Sequence, residues 1–391
     1  MPPTIQTTHI GSLPRPPELL EQITASSTGE GFGNEDIEHL VQDATERVLE
    51  KQAAVGIDVA NNGEQARAGF HLHVTDRLAG FGAEAPAPFW ADVTAFPALA
   101  EREFSYPDAD PATGAPIRPA VTGPIEYVGT AAAQREIETF QAAIDALDHE
   151  FADLFMTSPS PGIVASSLSN TYYESYEAYL AALADALATE WAMIADAGYV
   201  LQIDAPDLLH SHHRSFPDGT PSVIASATDY ADVVRLYVDT INGALPDVNR
   251  DRIRLHTCWG NYNGPHHLDV GLSTVLPELY RLNVGALAID LTAPRHDHEW
   301  RAFAEHPIPT EFDLIPGVLD VSSNVIDHPE AVADRLGRII DLGIEPDRLL
   351  AGPACGFGTL AWSAADDDIV WAKLESLVAG ARIAADRADH S

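Results

Sequence analysis

The feature that most constrains the fold is a regular alternation of short apolar runs with longer alanine-rich stretches along the 391-residue chain. The runs consist of β-branched or other apolar residues and end in polar or small residues, as buried strands do. Eight such runs are present, at 4–9, 57–60, 117–122, 199–204, 253–258, 286–291, 314–321 and 349–352. Helix-forming stretches between them lie at 34–54, 132–155, 177–197, 227–241 and 329–342.

Alternating strands and helices predict a parallel sheet, and eight such units predict a closed (β/α)8 TIM barrel. An open doubly wound sheet is the alternative, but no Gly-x-Gly-x-x-Gly follows the first strand. Because no repeat or low-complexity linker interrupts the pattern, we expect a single domain over 1–391. The proline-rich stretches after Gly80 and at 158–161 are expected to form long loops that act as lids.

Functional side chains of such barrels gather at the C-terminal ends of the strands. Here those ends are mostly polar, which maintenance of the fold alone does not explain. The residues are His9, Ile10, Gly11 and Ser12; Asn61, Asn62, Gly63 and Glu64; Thr122, Gly123 and Pro124; Asp204; His256 and Cys258; Asp290; Ser322 and Ser323; and Cys355.

The chain has only two cysteines, and each follows a predicted strand. Side chains two residues apart on a strand point the same way, so His256 and Cys258 are placed to bind one ion with Cys355. Asp290, at the end of the next strand, is the best candidate for a fourth zinc ligand. Its rivals are His296, Asp297, His298 and Glu299. The simpler alternative is that the two cysteines are buried small hydrophobic residues.

A zinc ion held by two thiolates and a carboxylate is a poor Lewis acid, so this ligand set disfavours activation of water. The same electron-rich ion is suited to hold a substrate thiol as a thiolate while the sulfur stays nucleophilic. The ligand set therefore predicts thiol alkylation rather than hydrolysis.

The formal charge of −37 restricts the partners of the protein. A surface this acidic repels nucleic acid and anionic membranes, and we expect neither as a partner. The acidic residues are spread along the chain, which is typical of proteins that work in concentrated salt. The N-terminus shows no basic region followed by an apolar stretch, and two distant cysteines favour reduced thiols, so we expect a cytoplasmic location.

The strand-end segments resemble the catalytic barrel of cobalamin-independent methionine synthases, specifically its shorter single-barrel relatives. The matching segments occur in the family's order and span nearly the whole chain. They are 8–15 (THIGSLPR), 62–64 (NGE), 122–124 (TGP), 202–206 (QIDAP), 256–258 (HTC), 316–320 (PGVLD) and 355–356 (CG). The resemblance implies a TIM barrel whose zinc binds a thiol substrate, with homocysteine favoured.

The resemblance also assigns roles to individual residues. His256, Cys258 and Cys355 fall on zinc ligands, and Asp290 falls where the family has glutamate. Four further residues fall on groups that hold the amino acid portion of homocysteine or methionine: Ile10, Ser12, Glu64 and Asp204. Asp204 is also a candidate catalytic residue, as is Ser322, which stands where methionine synthase has a histidine suited to proton transfer.

Ser322 and the lack of cation clusters for a polyglutamyl tail disfavour folate as the methyl donor. A methyl-cobalamin protein or another small methyl donor is the expected partner. The single-barrel relatives also include epoxyalkane–coenzyme M transferase, whose sulfonate substrate would need an arginine. The candidates are Arg15, Arg67, Arg77, Arg214 and Arg295. A non-catalytic zinc- or thiol-binding relative is the third possibility.

The histidine runs at 210–213 and 266–267 lie in predicted loops. Since adjacent histidines do not readily bind one ion, these runs predict a solvated loop or a pocket wall rather than a second metal site.

Overall fold

The computed structural model describes residues 4–26, 35–104, 109–110, 115–216, 222–223, 230–358 and 365–390. The strands are β1 (Gln6–Thr7), β2 (Val59–Ala60), β3 (Leu78–Pro86), β4 (Phe89–Trp90), β5 (Ile117–Tyr127), β6 (Asp153–Pro159), β7 (Val200–Asp204), β8 (Arg214–Ser215), β9 (Ile253–Thr257), β10 (Ala286–Asp290), β11 (Asp313–Leu319) and β12 (Leu350–Pro353). The helices are α1 (Pro17–Ser26), α2 (Glu35–Val55), α3 (Val74–Arg77), α4 (Ala91–Thr94), α5 (Pro97–Glu103), α6 (Thr130–Ala146), α7 (Pro161–Ser167), α8 (Tyr176–Asp196), α9 (Asp207–His210), α10 (Tyr230–Ala244), α11 (Leu272–Leu279), α12 (Ala302–Glu305), α13 (Pro329–Ile340) and α14 (Asp367–Asp389).

Eight strands form one parallel sheet in the order β1-β12-β11-β10-β9-β7-β6-β2. A parallel bridge between Thr8 and Val59 joins the two ends of this sheet, so the strands close into a barrel. At least one helix separates each barrel strand from the next along the chain. The (β/α)8 barrel expected from the sequence is confirmed. The extent of the single domain over 1–391 stays a prediction. The helices predicted at residue 34 and at 227–229 also stay predictions, because those four residues lie outside the described part.

The strand predicted at 117–122 is wrong as a barrel strand. It belongs to β5, which pairs antiparallel with β3 in a separate two-stranded ribbon, so Thr122, Gly123 and Pro124 do not lie at a barrel strand end. The third barrel strand is β6, which had been assigned partly to a helix and partly to a proline-rich lid. Helix α6 ends at Ala146, before this strand begins.

Local sequence explains why the stretch at 158–161 does not form a long loop. Ser160 is the N-cap of α7, and its Oγ accepts a hydrogen bond from the backbone N–H of Ile163 at 3.0 Å. Pro161 occupies the first turn, where a proline is favoured because its missing N–H is not needed. The serine and proline therefore mark a strand-to-helix junction. The stretch after Gly80 is likewise ordered, as strand β3.

The period of two along each strand divides the core into two layers. Leu201 and Ile203 of β7 and Leu255 of β9 belong to the large apolar core that includes the surrounding helices. The intervening residues Gln202 and Arg254 contact each other inside the barrel, and the Arg254 Nε donates to Gln202 Oε1 at 2.8 Å. At the upper end of the strands, this inward set ends in the polar residues of the candidate site.

Arg254 fills the middle of the barrel. Its Nη1 donates to Thr8 Oγ1 at 3.2 Å, its Nη2 donates to the His9 carbonyl at 3.0 Å, and its guanidinium lies 3.6 Å from the ring centroid of Phe155. Because the group is buried, its pKa falls to about 9. A cation at this depth is held by hydrogen bonds and by the aromatic ring rather than by water.

Helix α8 is the one described helix that is long and apolar enough, by length and composition alone, to cross a membrane. Half of that apolar stretch is buried inside the fold. Leu183, Leu187 and Trp191 belong to the main apolar core. Packing in the core therefore accounts for the composition of this helix.

We expect Arg254→Met to lower the free energy of unfolding by about 3 kcal/mol, because buried acceptors on Gln202 and His9 lose their donor and each orphaned acceptor costs about 1–3 kcal/mol. Urea denaturation measures the change. Arg252→Met is the matched control: this arginine is half-exposed and pairs with Asp153, so its loss is expected to cost about 1 kcal/mol or less. Equal losses in the two variants would contradict the interior role of Arg254.

Candidate metal centre and substrate cleft

Three potential metal ligands converge at the C-terminal end of the barrel. The ligand atoms of His256, Cys258 and Cys355 lie within 4.8 Å of one another, and the two sulfurs are 3.7 Å apart. His256 is buried, and neither of its ring nitrogens has a hydrogen-bond partner among the described residues. An unpartnered imidazole beside two thiols fits a metal ion such as zinc, which favours tetrahedral sets of Cys and His.

The two thiols differ in acidity. A hydrogen bond from the Cys258 thiol, together with the nearby His256, holds the pKa of Cys355 well below its usual range although the group is buried. The same hydrogen bond and burial raise the pKa of the Cys258 thiol. Cys355 is therefore the sulfur that most readily takes the thiolate form, which is the form that ligates metal.

Asp290 ends β10, which neighbours β9 in the sheet as expected. Its Oδ1 accepts hydrogen bonds from the backbone N–H groups of Thr292 at 2.9 Å and Ala293 at 3.2 Å. It lies outside the close group of three ligands, but it lines the same cavity as the two cysteines. The structure therefore brings three of the four predicted ligands together, and Asp290 as the fourth stays a prediction.

Glu64 lies buried in the cleft next to the metal ligands. Its Oε1 accepts a hydrogen bond from Thr157 Oγ1 at 2.8 Å, whereas its Oε2 has no partner among the described residues. A Cβ at Gly11 would meet Oε1 at 2.5 Å, so glycine is needed for this close approach. Burial raises the pKa of Glu64, although Arg67 and Arg15 oppose the rise. The site thus holds a buried acid with an unpartnered oxygen.

Asp204, at the end of β7, lies in the same cleft. Burial and the charge of Glu64 raise its pKa to about 8, although His256 opposes the rise. The amide of Gln202 donates to Asp204 Oδ1 at 2.7 Å and to the Ile10 carbonyl at 2.6 Å. Gln202 was only part of a sequence motif. In the structure, Gln202 orients the side chain of Asp204, a predicted substrate-binding residue, and also binds the backbone at Ile10.

Ser12 faces the segment that follows Cys355. Its Oγ accepts a hydrogen bond from the backbone N–H of Gly358 at 3.0 Å, and a Cβ at Gly356 would meet that oxygen at 2.5 Å. Seven of the predicted site residues line a single cleft that opens to solvent. These residues are Ile10, Ser12, Glu64, Asp204, His256, Cys258 and Cys355.

Ser322 occupies a different position. It is exposed, and its Oγ donates to Asp320 Oδ1 at 2.7 Å. It lines a neighbouring cavity that also contacts Cys258, Cys355 and Asp290, so it lies on the far side of the metal ligands from the buried carboxylates. The structure does not bring Ser322 together with Asp204, and both stay predictions as catalytic residues.

Comparison with known families identifies this architecture. The model of the family described as "Cobalamin-independent synthase, Catalytic domain" matches residues 5–90 and 115–378. The chain belongs to this family. The matched residues cover most of the chain and include every residue of the cleft named above.

Several proteins similar to this chain are methionine synthases. That of Sulfurisphaera tokodaii is 25% identical over 97% of this chain and 93% of its own, and that of Thermococcus kodakarensis is 25% identical over 97% and 94%. The B12-independent methionine synthase from Shewanella, solved with selenomethionine, has a TM-score of 0.71 at 18% identity and covers 98% of this chain and 99% of its own. A putative enzyme from Listeria monocytogenes has a TM-score of 0.59 at 18% identity, with coverage of 97% and 98%. These two structures share the fold.

The five candidate arginines are separated by the fold. Arg67 and Arg77 are buried in ion pairs with Glu136, and Arg15 donates to the Glu64 carbonyl at 2.6 Å. Arg214 lines the cleft, where its Nη1 donates to Ser167 Oγ at 2.7 Å. Arg295 is exposed and lines the neighbouring cavity.

Sequence reasoning missed a histidine cluster beside the cleft. Asp269 Oδ2 contacts His266 Nδ1 at 2.8 Å and His296 Nε2 at 2.9 Å, and Asp269 Oδ1 contacts His213 Nε2 at 2.8 Å. The three hydrogen bonds outweigh burial and hold the pKa of Asp269 below its usual range. His296 had been a rival for the fourth zinc position. The available signal was the spacing of three residues between His266 and Asp269, but the partners from other loops could not be read from it.

We expect Cys258→Ser and Cys355→Ser each to weaken zinc binding at this centre by more than about 100-fold, because loss of a ligand should exceed the 10–100-fold effect of losing an outer-shell partner. Competition between cobalt and zinc reports it, since thiolate-to-cobalt absorption arises only from sulfur ligation. Thr257→Val is the control, because the Thr257 hydroxyl has no partner among the described residues. Unchanged absorption in either cysteine variant would contradict the assignment.

Proposed function

We propose that the protein is a zinc-dependent methyltransferase that methylates the thiol of homocysteine to give methionine. The observation that carries the proposal is the meeting, in one cleft, of a Cys-Cys-His group with two buried carboxylates of raised pKa. A thiol site beside an ammonium site matches the two ends of a short amino acid thiol. Membership of the family and the methionine synthases among the relatives support the same activity.

Zinc would be held by His256, Cys258 and Cys355, with Asp290 as the proposed fourth ligand. When bound, it would supply the charge that keeps a substrate thiol in the thiolate form at neutral pH. The unpartnered nitrogens of His256 and the thiolate character of Cys355 fit this metal.

Glu64 and Asp204 would hold the ammonium group of the substrate. An acid buried without a counter-ion is destabilised when ionised, and a bound cation removes that penalty. The unpartnered Oε2 of Glu64 supplies an acceptor, and Gln202 holds Asp204 Oδ1 in place. The Shewanella enzyme was solved with selenomethionine, whose amino acid portion is that of the proposed product. In the transfer, the substrate sulfur forms a bond to the methyl carbon while the bond from that carbon to the donor breaks.

The methyl donor is proposed to be a methyl-cobalamin protein. Ser322 stands where an imidazole would be needed to protonate a basic leaving group. Its hydroxyl donates its hydrogen bond to Asp320. A cobalt-bound methyl group leaves its electron pair on cobalt and needs no proton. The cytoplasmic location expected from the sequence also stays a prediction.

A coenzyme M transferase activity is the second candidate. Its supporting observation is Arg214, a buried guanidinium in the wall of the cleft. The two acids disfavour it, because Glu64 and Asp204 can form ion pairs with an ammonium group but not with a sulfonate.

We expect homocysteine to release about one more proton than methionine on binding to the zinc-loaded protein at pH 7. Both ligands bring the same ammonium and carboxylate, so proton release from Asp204, whose pKa near 8 leaves it mostly protonated at pH 7, cancels in the difference. The remaining proton comes from the thiol, whose usual pKa of about 8.5 is lowered on ligation. Calorimetry in several buffers measures the difference.

Coenzyme M is the comparison ligand in that experiment. Equal proton release by homocysteine and methionine would contradict thiolate formation at the metal. Binding of coenzyme M in place of homocysteine would favour the second candidate.

Gly11→Ala is expected to weaken methionine binding about tenfold or more, or at least about 1.4 kcal/mol. The new Cβ would lie 2.5 Å from Glu64 Oε1, and the φ of +135° is one that alanine rarely adopts. Gly343→Ala is the matched control, because Gly343 has a φ of +91° but nothing within 4 Å of the added Cβ. A similar affinity loss in both variants would show that strain, rather than displacement of Glu64, is responsible.

A further inference from the structure

Three separate loops bring one histidine each to the side chain of Asp269. His213 follows α9, His266 lies in the loop after β9, and His296 lies in the loop after β10. One ring nitrogen of each histidine faces a carboxylate oxygen of Asp269 at 2.8–2.9 Å. The Asp269 carboxylate and the rings of His213 and His296 are almost fully buried. The cluster therefore contains one histidine from each of three loops rather than adjacent histidines from one loop.

The opposite ring nitrogen of each histidine faces an oxygen acceptor. His266 Nε2 lies 3.1 Å from the carbonyl of Tyr262. His296 Nδ1 lies 3.8 Å from Glu299 Oε1, and His213 Nδ1 lies 3.7 Å from Asp92 Oδ1. The separations at His296 and His213 are too long for hydrogen bonds, and neither Nδ1 has a partner among the described residues. His266 alone has an outer acceptor of the kind that fixes the tautomer of a metal-binding histidine and leaves its inner nitrogen unprotonated.

His266 restricts the possibilities further. A backbone carbonyl and an ionised carboxylate only accept hydrogen bonds, so a neutral ring cannot satisfy both nitrogens. Either His266 carries two protons or its inner nitrogen binds a cation. His266 also has a φ of +53°, and it shares a positive φ with only Glu64 among the described residues other than glycine. Such strain in a non-glycine residue is found mainly at functional sites.

Without a metal, His266 is an imidazolium paired with Asp269, and His213 and His296 donate to Asp269 as neutral rings whose outer nitrogens have no partner among the described residues. A divalent ion instead leaves each ring neutral and each inner nitrogen as a ligand. The ligand atoms of His266, Asp269 and His296 lie within 4.8 Å of one another, as in the His-Cys-Cys centre.

We propose that His266, His296 and Asp269, with His213 as a further ligand, form a second metal site for a divalent ion such as Zn²⁺, Fe²⁺ or Mn²⁺. Imidazole and carboxylate ligands suit these ions, whereas the two sulfurs of Cys258 and Cys355 favour zinc over the harder Fe²⁺ and Mn²⁺. The inference does not depend on the proposed methyltransferase activity.

The site would tie the loops after three successive barrel strands to one another. His266 lines the cavity that also contacts Cys258, Cys355 and Asp290. His296 stacks on Trp259, next to the first centre, with ring centroids 3.7 Å apart and planes within 3°. A metal at Asp269 therefore holds in place the wall of the cavity beside Cys258 and Cys355.

The test is metal stoichiometry. Apo-protein is titrated with Zn²⁺ and, separately, with Co²⁺ under anaerobic conditions, and bound metal is counted by mass spectrometry. We expect two equivalents per chain in the unaltered protein. Of the two Co²⁺ equivalents, only one should give thiolate-to-cobalt absorption. The double variant Cys258→Ser, Cys355→Ser should lose that absorption and keep one equivalent, whereas His266→Asn, His296→Phe should keep the absorption and lose the other equivalent.

The two histidine substitutions are chosen to preserve the fold. Asparagine is the residue other than glycine that best accepts a positive φ, and phenylalanine retains a flat ring against Trp259. His267→Asn is the matched control at an exposed neighbouring position and should keep both equivalents. One equivalent in the unaltered protein, or two in the His266→Asn, His296→Phe variant, would overturn the second site. Absence of the cobalt-thiolate absorption from the unaltered protein, with two equivalents bound, would instead count against the centre at His256, Cys258 and Cys355.

Discussion

The structure depends on the two-residue period of strands closed into a barrel. Closure sends every second side chain inward, and parallel pairing aligns the strand ends, so inward residues at the ends of β7, β9 and β10 meet over the same opening. Arg254 occupies the level beneath this opening and donates to Gln202, which in turn donates to Asp204. The position of the Asp204 carboxylate is therefore set by hydrogen bonds that begin in the middle of the barrel.

Buried carboxylates of raised pKa distinguish the site from the rest of this acidic protein. Exposed carboxylates on the surface are solvated, whereas Glu64 and Asp204 are removed from water, and burial raises the pKa of both. The charge of Glu64 adds to the rise at Asp204. Elsewhere in the interior, Glu136 is matched by Arg67 and Arg77, which hold its pKa near 2. The contrast separates an ion-pair network that stabilises the fold from a pair of acids whose pKa is raised by burial. Glu64 also has a positive φ, which adds backbone strain at the site.

Sequence reasoning identified the barrel and the inward strand ends because both follow from local periodicity. His256, Cys258, Glu64 and Asp204 lie in one cleft because each is at, or just beyond, the C-terminal end of a strand of one sheet. The third strand was missed since it begins at Asp153, only a short connection after helix α6 ends at Ala146. It is also followed by Ser160 and Pro161, which are N-terminal helix signals. The run at 117–122 is as β-rich as a barrel strand, and local composition does not distinguish a ribbon from a barrel member.

The histidine cluster shows a second limit. His213, His266 and His296 come from loops whose relative positions depend on the lengths and paths of three βα connections, and no periodicity fixes those paths. Each histidine taken alone resembles a solvated loop residue. Only the shared contact with Asp269 distinguishes them, and that contact is between residues up to 56 positions apart.

The histidines near the cleft also bear on how a leaving group can depart. His71 and His210 line the cleft, but burial lowers the pKa of His71 to about 3 and that of His210 well below its usual range, so both are neutral at pH 7. A neutral imidazole is a weak acid. His266 lines the adjacent cavity with both ring nitrogens engaged, and the Ser322 hydroxyl is bound to Asp320. Among the described residues, none of these four groups offers a free acidic proton at neutral pH, and Asp204 would give up its proton when it pairs with the proposed substrate ammonium. A donor whose methyl group departs from cobalt, leaving its electron pair on the metal, fits this environment better than one whose nitrogen must be protonated.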